Sequence, residues 1–593
     1  MIPMTPMTPP DRPPSVILRD ATSPRWLCFS SPRESVVAWR LDQVADGFRQ
    51  VCEAVEQEGL TAAGFMAYEA APAFDAALPG RADGEFPLLW FGLFRDLETR
   101  DSLPAGRAIT PPVSWRPDLS PEAYHARVQA IRAYLRQGDT YQVNLSDRLR
   151  AETTLDPWDF FVWLMADAPP PCAAFLDTGR WAVCSASPEL FLRQTGDLIE
   201  SRPMKGTAAR GLWREDDDQK AASLRASLKD RAENLMILDM MRNDLGRIAH
   251  LGSVTVPALF RIERYPTVWQ MTSTVCARTL ASWPDILAAT FPPASCTGAP
   301  KRRAMEIIAA LETSPRRLYT GCIGFIAPNQ TAQFNVAIRT LLIDQENGQA
   351  EYGVGGGIVW DSTPAGELAE CRTKAKLLEP RRRDFDLLET LRWSPGGGYF
   401  LLGYHLKRLA QSAGYFGFFV DLCRVETALL DLAAGLPAMP HRVRLRVTRH
   451  GACHTEAVLL SPEALRFGPI PLAKQPINRA NPWLYHKTTC REPYEAALAA
   501  CPGQEDVLLF NEAGEITEST RANVAVMIDG VLYTPPVVCG LLAGTCRAWL
   551  LDRGQLRECP VTLDEVRRNP QVYLMNAVRA LQKVAVLAIN SHF

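Results

Sequence analysis

The sequence lacks the cysteine and histidine arrangements that mark disulfide frameworks and zinc sites. Its 15 cysteines are scattered singly, and no pair is spaced as CxxC. No HExxH motif occurs, and no histidine–cysteine cluster has the ligand spacing of a zinc site. We therefore expect buried, reduced thiols, a cytoplasmic protein and no thiol chemistry.

Long apolar runs and an excess of charge of one sign are also absent. The apolar stretches, of which 160–166 is typical, are far shorter than the ~18 residues that a membrane span needs. The 64 basic and 66 acidic side chains give a net charge of −2, which provides no electrostatic footprint for nucleic acid or lipid headgroups. Composition thus argues against a membrane-spanning or nucleic-acid-binding role.

The length of 593 residues predicts two to four domains. The first 14 residues contain six prolines and no apolar segment, and we expect them to be a disordered lead-in. The charged, proline-containing stretch 379–384 precedes a new strand pattern at 385–393 and predicts a linker. The predicted domains are therefore 15–378 and 385–593.

The hydrophobic pattern predicts mixed helices and strands. Strand-like alternation fills 15–115, and a helix is predicted over 121–136. The clearest helical periodicities are at 228–245, 300–311 and 366–378. We found no internal repeat.

A lysine and a glutamate are the first candidates for catalysis. Glu189 follows a predicted strand, and Lys205 lies between Pro203-Met204 and Gly206, which predicts a turn that aims its amine at a ligand. A carboxyl near such an amine suits acid–base and nucleophilic roles. Taken alone, the pattern also fits a surface lysine in a turn.

Carboxylates recur on two of the predicted helices. Glu233 shares a helix face with apolar residues, and Glu367, Glu370 and Lys374 share another. Because a carboxylate on an apolar stripe is costly to bury alone, these residues suggest a hard cation such as Mg²⁺. Each helix by itself also fits a solvated, ion-paired face.

Three features suit the binding of anions. Residues 297–301 open a helix with proline in its first turn, and the glycine cluster 353–358 allows close approach of backbone to a ligand. This cluster lacks the GxGxxG spacing of dinucleotide sites. Arg339, on a predicted strand, could hold a carboxylate, although an ordinary salt-bridged arginine fits equally well.

Six stretches of the first domain occur in an order that resembles the chorismate-utilising enzymes over about residues 120–378. They are GDTYQVNL (138–145), SPELF (187–191), PMKGT (203–207), KDRAENLM with RNDLGR (229–247), TGAPKRRAMEII (297–308) and GGGIV (355–359). The family implies an α+β fold of packed antiparallel sheets with surrounding helices. Lys205 matches the aminodeoxychorismate synthases of this family, since anthranilate synthases carry a small residue there. Gln142 stands where salicylate- and isochorismate-forming members carry a water-activating lysine.

The resemblance implies a role for each motif residue. Lys205 would attack C2 of chorismate, Glu189 would act as acid and base on the departing C4 hydroxyl, and ammonia would then add at C4. Glu233 and Glu370 would hold Mg²⁺ against the ring carboxylate, with Glu367 behind them. The residues expected to contact substrate are Thr207, Arg339, Gly355, Gly356 and Lys374.

The resemblance also bears on partners and regulation. None of the cysteines lies on a glycine-flanked elbow with a downstream histidine, so we expect a separate glutamine amidotransferase subunit, or free ammonia, as the nitrogen source. The region before residue 120 lacks the LLES-type motif with which regulated relatives bind tryptophan. We therefore expect no inhibition by an amino acid.

The second domain carries residues suited to an aldehyde cofactor. Lys487 occupies a strand-like position, and the run NEAGEITESTRAN (511–523) contains Glu518. A carboxylate facing a pyridine nitrogen keeps that ring an electron sink, and a lysine amine can hold the aldehyde. The loop 540–545 leads into a helix, which is typical of a phosphate cradle, and Arg408 could reach the same phosphate. Each feature alone also fits a surface loop or a helix cap.

In order, HLKRL (405–409), YHK (485–487), the 511–523 run and GLLAGT (540–545) resemble the class IV aminotransferase-like proteins, which have the two-lobed fold-type IV architecture and use pyridoxal phosphate. The class includes branched-chain and D-amino-acid aminotransferases and aminodeoxychorismate lyase. The first domain favours the lyase, because a lyase would consume the product of the synthase.

The second resemblance again implies roles. Lys487 would hold the cofactor and remove the C4 proton, after which pyruvate is lost and 4-aminobenzoate, the folate precursor, forms. The residues expected to contact cofactor or substrate are Arg408, Glu518, Thr520, Asn523, Gly544, Thr545 and Arg579. A homodimer through this domain is expected from the class. Two alternatives remain: a true aminotransferase as the second domain, and a non-catalytic scaffold that recruits a glutaminase.

Overall fold

The computed structural model describes residues 15–107, 109, 114–166, 169–265, 267–379, 385–568 and 571–587. The predicted lead-in 1–14 and positions 380–384 of the predicted linker lie outside them. The chain divides into two compact units, Met1–Ala209 with Ala221–Arg381 and Arg210–Lys220 with Arg382–Phe593. Residues 210–220 fall in the predicted first domain but belong to the second unit. In the described ranges, no helix is both long and apolar enough to cross a membrane.

The first unit mixes strands and helices. Its strands are β1 (Val16–Arg19), β2 (Trp26–Phe29), β3 (Glu34–Ala38), β4 (Thr61–Met66), β5 (Leu89–Phe94), β6 (Glu98–Arg100), β7 (Arg116–Pro117), β8 (Gln142–Glu152), β9 (Ala174–Asp177), β10 (Trp181–Ser185), β11 (Leu190–Thr195), β12 (Leu198–Arg202), β13 (Met204–Ala209), β14 (Thr255–Arg264), β15 (Val268–Arg278), β16 (Gly298–Ala299), β17 (Cys322–Ala327), β18 (Thr331–Val336), β19 (Thr340–Asp344) and β20 (Gln349–Ile358). Its helices are α1 (Leu41–Glu58), α2 (Pro121–Gln137), α3 (Pro157–Met165), α4 (Arg214–Ala226), α5 (Leu228–Gly246), α6 (Trp283–Thr290), α7 (Lys301–Leu311) and α8 (Pro364–Ala375). Helix α4 begins within the 210–220 segment.

Two ten-stranded antiparallel sheets form the body of the first unit. One runs β16-β8-β20-β19-β10-β9-β1-β2-β6 with β7 beside β8, and the other runs β13-β15-β12-β11-β18-β17-β4-β5-β3 with β14 beside β15. Val16 and Leu18 of β1 enter the core shared with the second sheet, and Ile17 enters the core under α2, α3 and α7. Because side chains alternate along a strand, the first sheet buries both of its faces.

The helices that carry candidate residues are fixed by capping and packing. The Ser227 hydroxyl accepts from the Asp230 N–H at the start of α5, and the Thr363 hydroxyl accepts from the Gly366 N–H at the start of α8. Helix α5 packs against β13 and β15, and α8 packs against β20. The predicted helices at 228–245 and 366–378 are confirmed, the latter ending in a 3₁₀ turn, Lys376–Leu378.

The expectation of strands throughout 15–115 is wrong at α1. This 18-residue helix buries Val44, Phe48, Val51 and Val55, which are spaced by three or four residues. The spacing is the ordinary signal of an amphipathic helix. The helical spacing is overlooked when the whole of 15–115 is assigned to strands, because the helix lies between short strands.

The second unit also mixes strands and helices. Its strands are β21 (Leu387–Ser394), β22 (Gly398–Tyr399), β23 (His441–Val447), β24 (Cys453–Leu459), β25 (Leu508–Phe510), β26 (Ile516–Ser519), β27 (Asn523–Ile528), β28 (Val531–Thr534), β29 (Arg557–Glu558), β30 (Val572–Asn576) and β31 (Ala580–Val584). Its helices are α9 (Leu402–Phe416), α10 (Leu422–Ala434), α11 (Glu492–Ala499), α12 (Thr545–Asp552) and α13 (Leu563–Arg568). The sheet β22-β21-β23-β24 and its helices α9 and α10 bury one core, and a seven-stranded sheet buries others. The α+β prediction is confirmed for both units.

Candidate active sites

A cavity of about 440 Å³ in the first unit collects the residues that the sequence proposes for chorismate chemistry. The predicted residues that line it are Glu189, Lys205, Thr207, Glu233, Arg339, Gly355, Glu367, Glu370 and Lys374. Gly356 lies beside them, since a Cβ built on it would be 3.0 Å from Oε2 of Glu367. Six distant segments of sequence therefore meet at one cavity.

The backbone of Lys205 has the conformation of a strand and not of a turn. It lies on β13, whose register against β15 shifts between Met204 and Thr207, so the expectation of a turn is wrong. The Asn234 side-chain amide, one residue beyond Glu233 on α5, donates to the carbonyl of Lys205 at 3.1 Å. Sequence reasoning missed this buried asparagine, which ties the lysine strand to the glutamate helix.

The Lys205 amine lies against the glycine cluster and Gln142. A Cβ built on Gly357 would be 3.0 Å from Nζ of Lys205 and 2.6 Å from Nε2 of Gln142. A side chain at this position of β20 would therefore displace the ends of Gln142 and Lys205 from their present places. In the part of the chain that the structure describes, neither amide atom of the buried Gln142 has a hydrogen-bond partner. An amide left unpaired beside the amine is suited to contact a bound ligand.

Glu189 has the electrostatics of an acid–base group. It lies beyond the end of β10 and is buried, and the Ser295 hydroxyl hydrogen-bonds to its carboxyl. Burial raises the pKa of Glu189 to about 7, although Ser295 and Lys205 act in the opposite direction. The carboxyl can therefore both donate and accept a proton near neutral pH.

The three glutamates proposed as metal ligands, Glu233, Glu367 and Glu370, all line the first cavity. Burial raises the pKa of Glu233 and of Glu367, and the facing carboxylates add to this effect. Over the described ranges, no group of three or more potential ligands is already arranged around a single metal position. Carboxylates without histidine suit Mg²⁺, which takes one or two protein carboxylates and completes its shell with substrate oxygens and water. The donor set therefore fits the ion that the family implies.

Arg339 and Lys374 both line the cavity, and the setting of Arg339 differs from the expectation. Arg339 is not on a strand: it precedes β19 in the left-handed region, at φ 51°. Lys374 donates to the Gly355 carbonyl at 2.7 Å and pairs with Glu370 at 2.7 Å. Burial would raise the pKa of Glu370, but this ion pair outweighs burial and lowers it. Lys374 thus holds Glu370 ionised as well as facing the cavity.

A second cavity, of about 460 Å³, lies within the second unit. The predicted residues that line it are Arg408, Lys487, Glu518, Thr520, Asn523, Gly544, Thr545 and Arg579. Lys487 follows a 3₁₀ turn at Pro482–Leu484, and its carbonyl accepts from the Leu388 N–H at 2.9 Å. Burial, together with Arg408 and Arg491, lowers the pKa of Lys487 to about 7. The amine is therefore substantially neutral at physiological pH.

Glu518 is aimed into the cavity by three donors. The Tyr494 hydroxyl donates to it at 2.7 Å, the Leu542 N–H at 3.1 Å and the Asn523 amide at 3.1 Å. Burial raises the pKa of Glu518 to about 7 against these hydrogen bonds. Asn523 in turn lies so close to Gly544 that a Cβ there would be 1.8 Å from Oδ1. Tyr494 is a site residue that the motifs did not reveal.

The predicted phosphate end contains a buried charge cluster. Arg408 donates to Glu389 at 2.9 Å and 2.5 Å, and the His405 Nδ1 lies 2.6 Å from the same carboxylate. Burial would raise the pKa of Glu389, but these two neighbours lower it to about 2. Beside the cluster, Gly544 and Thr545 begin α12. A lysine amine, a carboxylate, an arginine and a helix start together fit pyridoxal phosphate.

The rest of the second cavity is strongly basic. Four lining arginines were not proposed from the sequence: Arg442, Arg444, Arg491 and Arg521. The pattern HRVRLRV of β23 could have revealed two of them, since alternate residues are buried and the arginines are exposed. Arg579, which was proposed, donates to the Ala464 carbonyl at 2.9 Å. This half of the cavity is suited to an anionic substrate.

Comparisons with known proteins agree with this geometry. Aminodeoxychorismate synthase component 1 of Klebsiella aerogenes is 44% identical over 269 residues, 45% of this chain and 59% of that protein. Anthranilate synthase component 1 1 of Haloarcula marismortui is 40% identical over 271 residues, 45% of this chain and 55% of that protein. The chain thus spans little more than half of these curated relatives.

A solved structure shares the fold of the first unit. The anthranilate synthase component I from Streptococcus pneumoniae is 24% identical, with a TM-score of 0.53 over 64% of this chain and 95% of that chain. The family model for chorismate binding enzymes matches residues 13–380, and the model for class IV aminotransferases matches 386–587. The chain therefore belongs to the chorismate binding enzyme family and carries a class IV aminotransferase domain in its C-terminal part.

Proposed function

We propose that this chain makes 4-aminobenzoate from chorismate and ammonia in two consecutive reactions. The first cavity would form 4-amino-4-deoxychorismate, and the second would release pyruvate from it. The observation that carries the proposal is that each unit has its own cavity, which contains a candidate lysine and a carboxyl group whose pKa is raised to about 7, Glu189 in the first and Glu518 in the second. A lysine in the first cavity also supports a synthase of the aminodeoxychorismate type.

In the first reaction, the amine of Lys205 forms a bond to C2 of chorismate while the C4 hydroxyl leaves. Glu189 gives this hydroxyl its proton, so that water departs. Ammonia then bonds to C4, the ring double bonds shift back, and the bond between C2 and the lysine breaks. Mg²⁺, when held by Glu233 and Glu370 with Glu367 nearby, would supply positive charge against the substrate's ring carboxylate.

In the second reaction, Lys487 would hold the cofactor and then move a proton. Bound pyridoxal phosphate would supply electron withdrawal from the carbon that bears the substrate nitrogen. Glu518 would face the pyridine nitrogen, while Arg408, Gly544 and Thr545 would bind the phosphate. Thr520 and Asn523 complete the wall, although the Thr520 hydroxyl donates to Asp506 at 2.6 Å. The neutral amine of Lys487 removes the proton at C4, and loss of pyruvate makes the ring aromatic.

A class IV aminotransferase is the second candidate for the C-terminal domain, because the matching family model carries that description. The lining charges favour the lyase. Six arginines face the cavity and Glu518 is the acidic residue among its lining residues. The aminodeoxychorismate substrate has two carboxylates, whereas a branched-chain amino acid has one. Purified 4-amino-4-deoxychorismate should release pyruvate without a keto acid, while a transaminase would require a keto-acid acceptor.

The nitrogen source belongs to the same proposal. The relative from Klebsiella is named component 1, which supports a separate partner that delivers ammonia. We therefore propose a glutamine amidotransferase subunit as partner, a cytoplasmic location and a homodimer through the second unit. Ammonium alone should replace glutamine in the purified protein, and glutamine should become a substrate only when the partner is added.

A further inference from the structure

The segment Arg210–Lys220 follows the strand of Lys205 and precedes the helix of Glu233, yet it belongs to the second unit. Within that unit it contacts the two residues that immediately precede Lys487. We propose that the 210–220 segment is a positioning element of the second active site, holding Tyr485 and His486 and thereby the backbone of Lys487. The role of Lys487 itself rests on the proposed function.

The segment fixes the ring of His486 from one side. His486 is buried, its Nε2–H donates to the Leu212 carbonyl at 3.1 Å, and the Ser412 hydroxyl donates to its Nδ1 at 3.0 Å. Burial lowers the pKa of His486 to about 4, so the imidazole is neutral near pH 7 and its Nδ1 accepts a hydrogen bond from the Ser412 hydroxyl. The ring also packs 4.3 Å from that of Tyr415. Both nitrogens and one face of the ring are therefore occupied.

The segment also holds Tyr485. The ring of Trp213 stacks on that of Tyr485, with centroids 5.1 Å apart and an angle of 22°. The Tyr485 hydroxyl donates to the Arg479 carbonyl at 2.7 Å, which fixes the other end of the side chain. Leu212 and Trp213 pack on the apolar cluster that contains Tyr494, the donor to Glu518. The segment thus packs both on a residue that precedes Lys487 and on the apolar cluster that contains Tyr494.

The segment is itself anchored by a buried charge pair. Arg210 donates to the two carboxylate oxygens of Asp217 at 2.8 Å and 2.7 Å, and the Gly211 N–H donates to the same carboxylate. The Tyr415 hydroxyl donates to the Gly211 carbonyl at 2.7 Å, and the Arg210 guanidinium lies 4.6 Å from the centre of the Tyr415 ring. Two-bond pairs of this kind fix geometry as well as energy. Tyr415 is on α9, the helix that carries Arg408.

The test uses the full-length protein loaded with pyridoxal phosphate. Trp213→Ala removes the stacking on Tyr485, Trp213→Phe keeps an aromatic ring, and Arg214→Ala is the control from the same segment. The Arg214 side chain is half exposed and pairs with Asp218. The readout is the pH titration of the absorbance of the lysine-bound cofactor without substrate, followed by kcat and KM for pyruvate release.

We expect Trp213→Ala to shift the titration midpoint and to lower kcat by ~10-fold or more with little change in KM, because small displacements of a reacting group are costly. The charged and titratable groups near Lys487 are unchanged in this variant, so a shift reports a change of position; they are Arg408, Arg491, Glu389, Glu518 and His405. Trp213→Phe should restore most of both values, and Arg214→Ala should match the wild type.

A folded Trp213→Ala protein with the wild-type midpoint and kcat overturns the inference. Arg210→Ala is a second variant, and should it unfold the unit, Trp213→Ala decides the question because it leaves Arg210 and Asp217, the pair that anchors the segment, unchanged. If the wild-type protein binds the cofactor at Lys487 but releases no pyruvate, the lyase proposal fails while the titration still tests the segment. If no lysine-bound cofactor forms at all, both proposals are wrong.

Discussion

The two cavities have nearly equal volumes, about 440 and 460 Å³, but the charged side chains of the first are balanced and those of the second are mostly basic. Five acidic and five basic side chains line the first, whereas six arginines and Lys487 face Glu518 in the second. Both are proposed to bind substrates with two carboxylates. Under the proposed function, the two cavities would bind these carboxylates in two ways: the first through a divalent cation held by its own carboxylates, and the second through guanidinium groups.

The two candidate lysines also differ in the charge of their neighbours. Burial, together with Arg408 and Arg491, lowers the pKa of Lys487 to about 7, so that much of its amine is neutral at that pH. Lys205 lies on a strand beside carboxylates and Gln142, with Glu189, the proposed acid–base group, in the same cavity. The sites can therefore be separated experimentally, residue by residue.

The largest expected effects come from the two lysines. Lys205→Ala should lower synthesis of 4-amino-4-deoxychorismate by ~10⁴-fold or more, because the nucleophile is lost. Pyruvate release from supplied 4-amino-4-deoxychorismate should continue at the wild-type rate. Lys487→Ala should reverse this pattern, and both are measured by chromatography of the products. A variant that loses both reactions equally would contradict the division into two sites.

Removal of Mg²⁺ sharpens the comparison further. Chelation by EDTA should slow the first reaction by ~10²–10³-fold, since charge stabilisation by the metal is lost. The second reaction has guanidinium groups in place of a metal, and its rate on supplied substrate should not change. Readdition of Mg²⁺ should restore the first rate. Equal sensitivity of both reactions to the chelator would show that the carboxylates of the first cavity are not what distinguishes them.

Arg442→Ala tests the basic wall of the second cavity. We expect KM for 4-amino-4-deoxychorismate to rise by ~10–100-fold, which corresponds to the loss of ~1.5–3 kcal/mol from a charged hydrogen bond. The matched control is Arg446→Ala, on the same strand outside the cavity, where the side chain faces Asp386 at 3.5 Å. An unchanged KM in Arg442→Ala would remove the argument for a substrate with two carboxylates.

The smallest effects are those of pH, and their signs are opposite. Glu189 must be protonated to act as an acid, so kcat/KM of the first reaction should fall ~10-fold per unit above a pH of about 7. Lys487 must be neutral to take up pyridoxal phosphate, so the rate of cofactor uptake by the cofactor-free protein should fall below a pH of about 7. Steady-state kinetics measures the pH profile of the first reaction, and stopped-flow absorbance measures that of cofactor uptake. Two rates that change in the same direction with pH would contradict the roles proposed for Glu189 and Lys487.

The fold was predictable where one period dominated a segment. The helices at 228–245 and 300–311 follow from their spacing, and both are present as α5 and α7. Helix α1 was missed because a single helix lies among short strands with frequent glycine and proline. The sequence did not predict that residues 210–220 belong to the second unit, because this depends on tertiary contacts such as the stacking of Trp213 on Tyr485.

The site was predictable as far as its motifs reach. Motif order identified residues as distant as Lys205 and Glu370, and these meet at one cavity. Asn234, which donates to the carbonyl of Lys205, and Glu389, which accepts from Arg408, were not predicted as site residues from the sequence. The arginines of β23 did carry a signal, the alternation of HRVRLRV, but its meaning depends on which face meets the cavity.

Product analysis of the wild-type protein tests the central claim most directly. The purified chain is incubated with chorismate, ammonium, Mg²⁺ and pyridoxal phosphate, and the products are separated and identified by mass. The account predicts 4-aminobenzoate and pyruvate in equal amounts, with no keto-acid acceptor. Formation of 2-aminobenzoate, or 4-amino-4-deoxychorismate that accumulates without pyruvate, would contradict it.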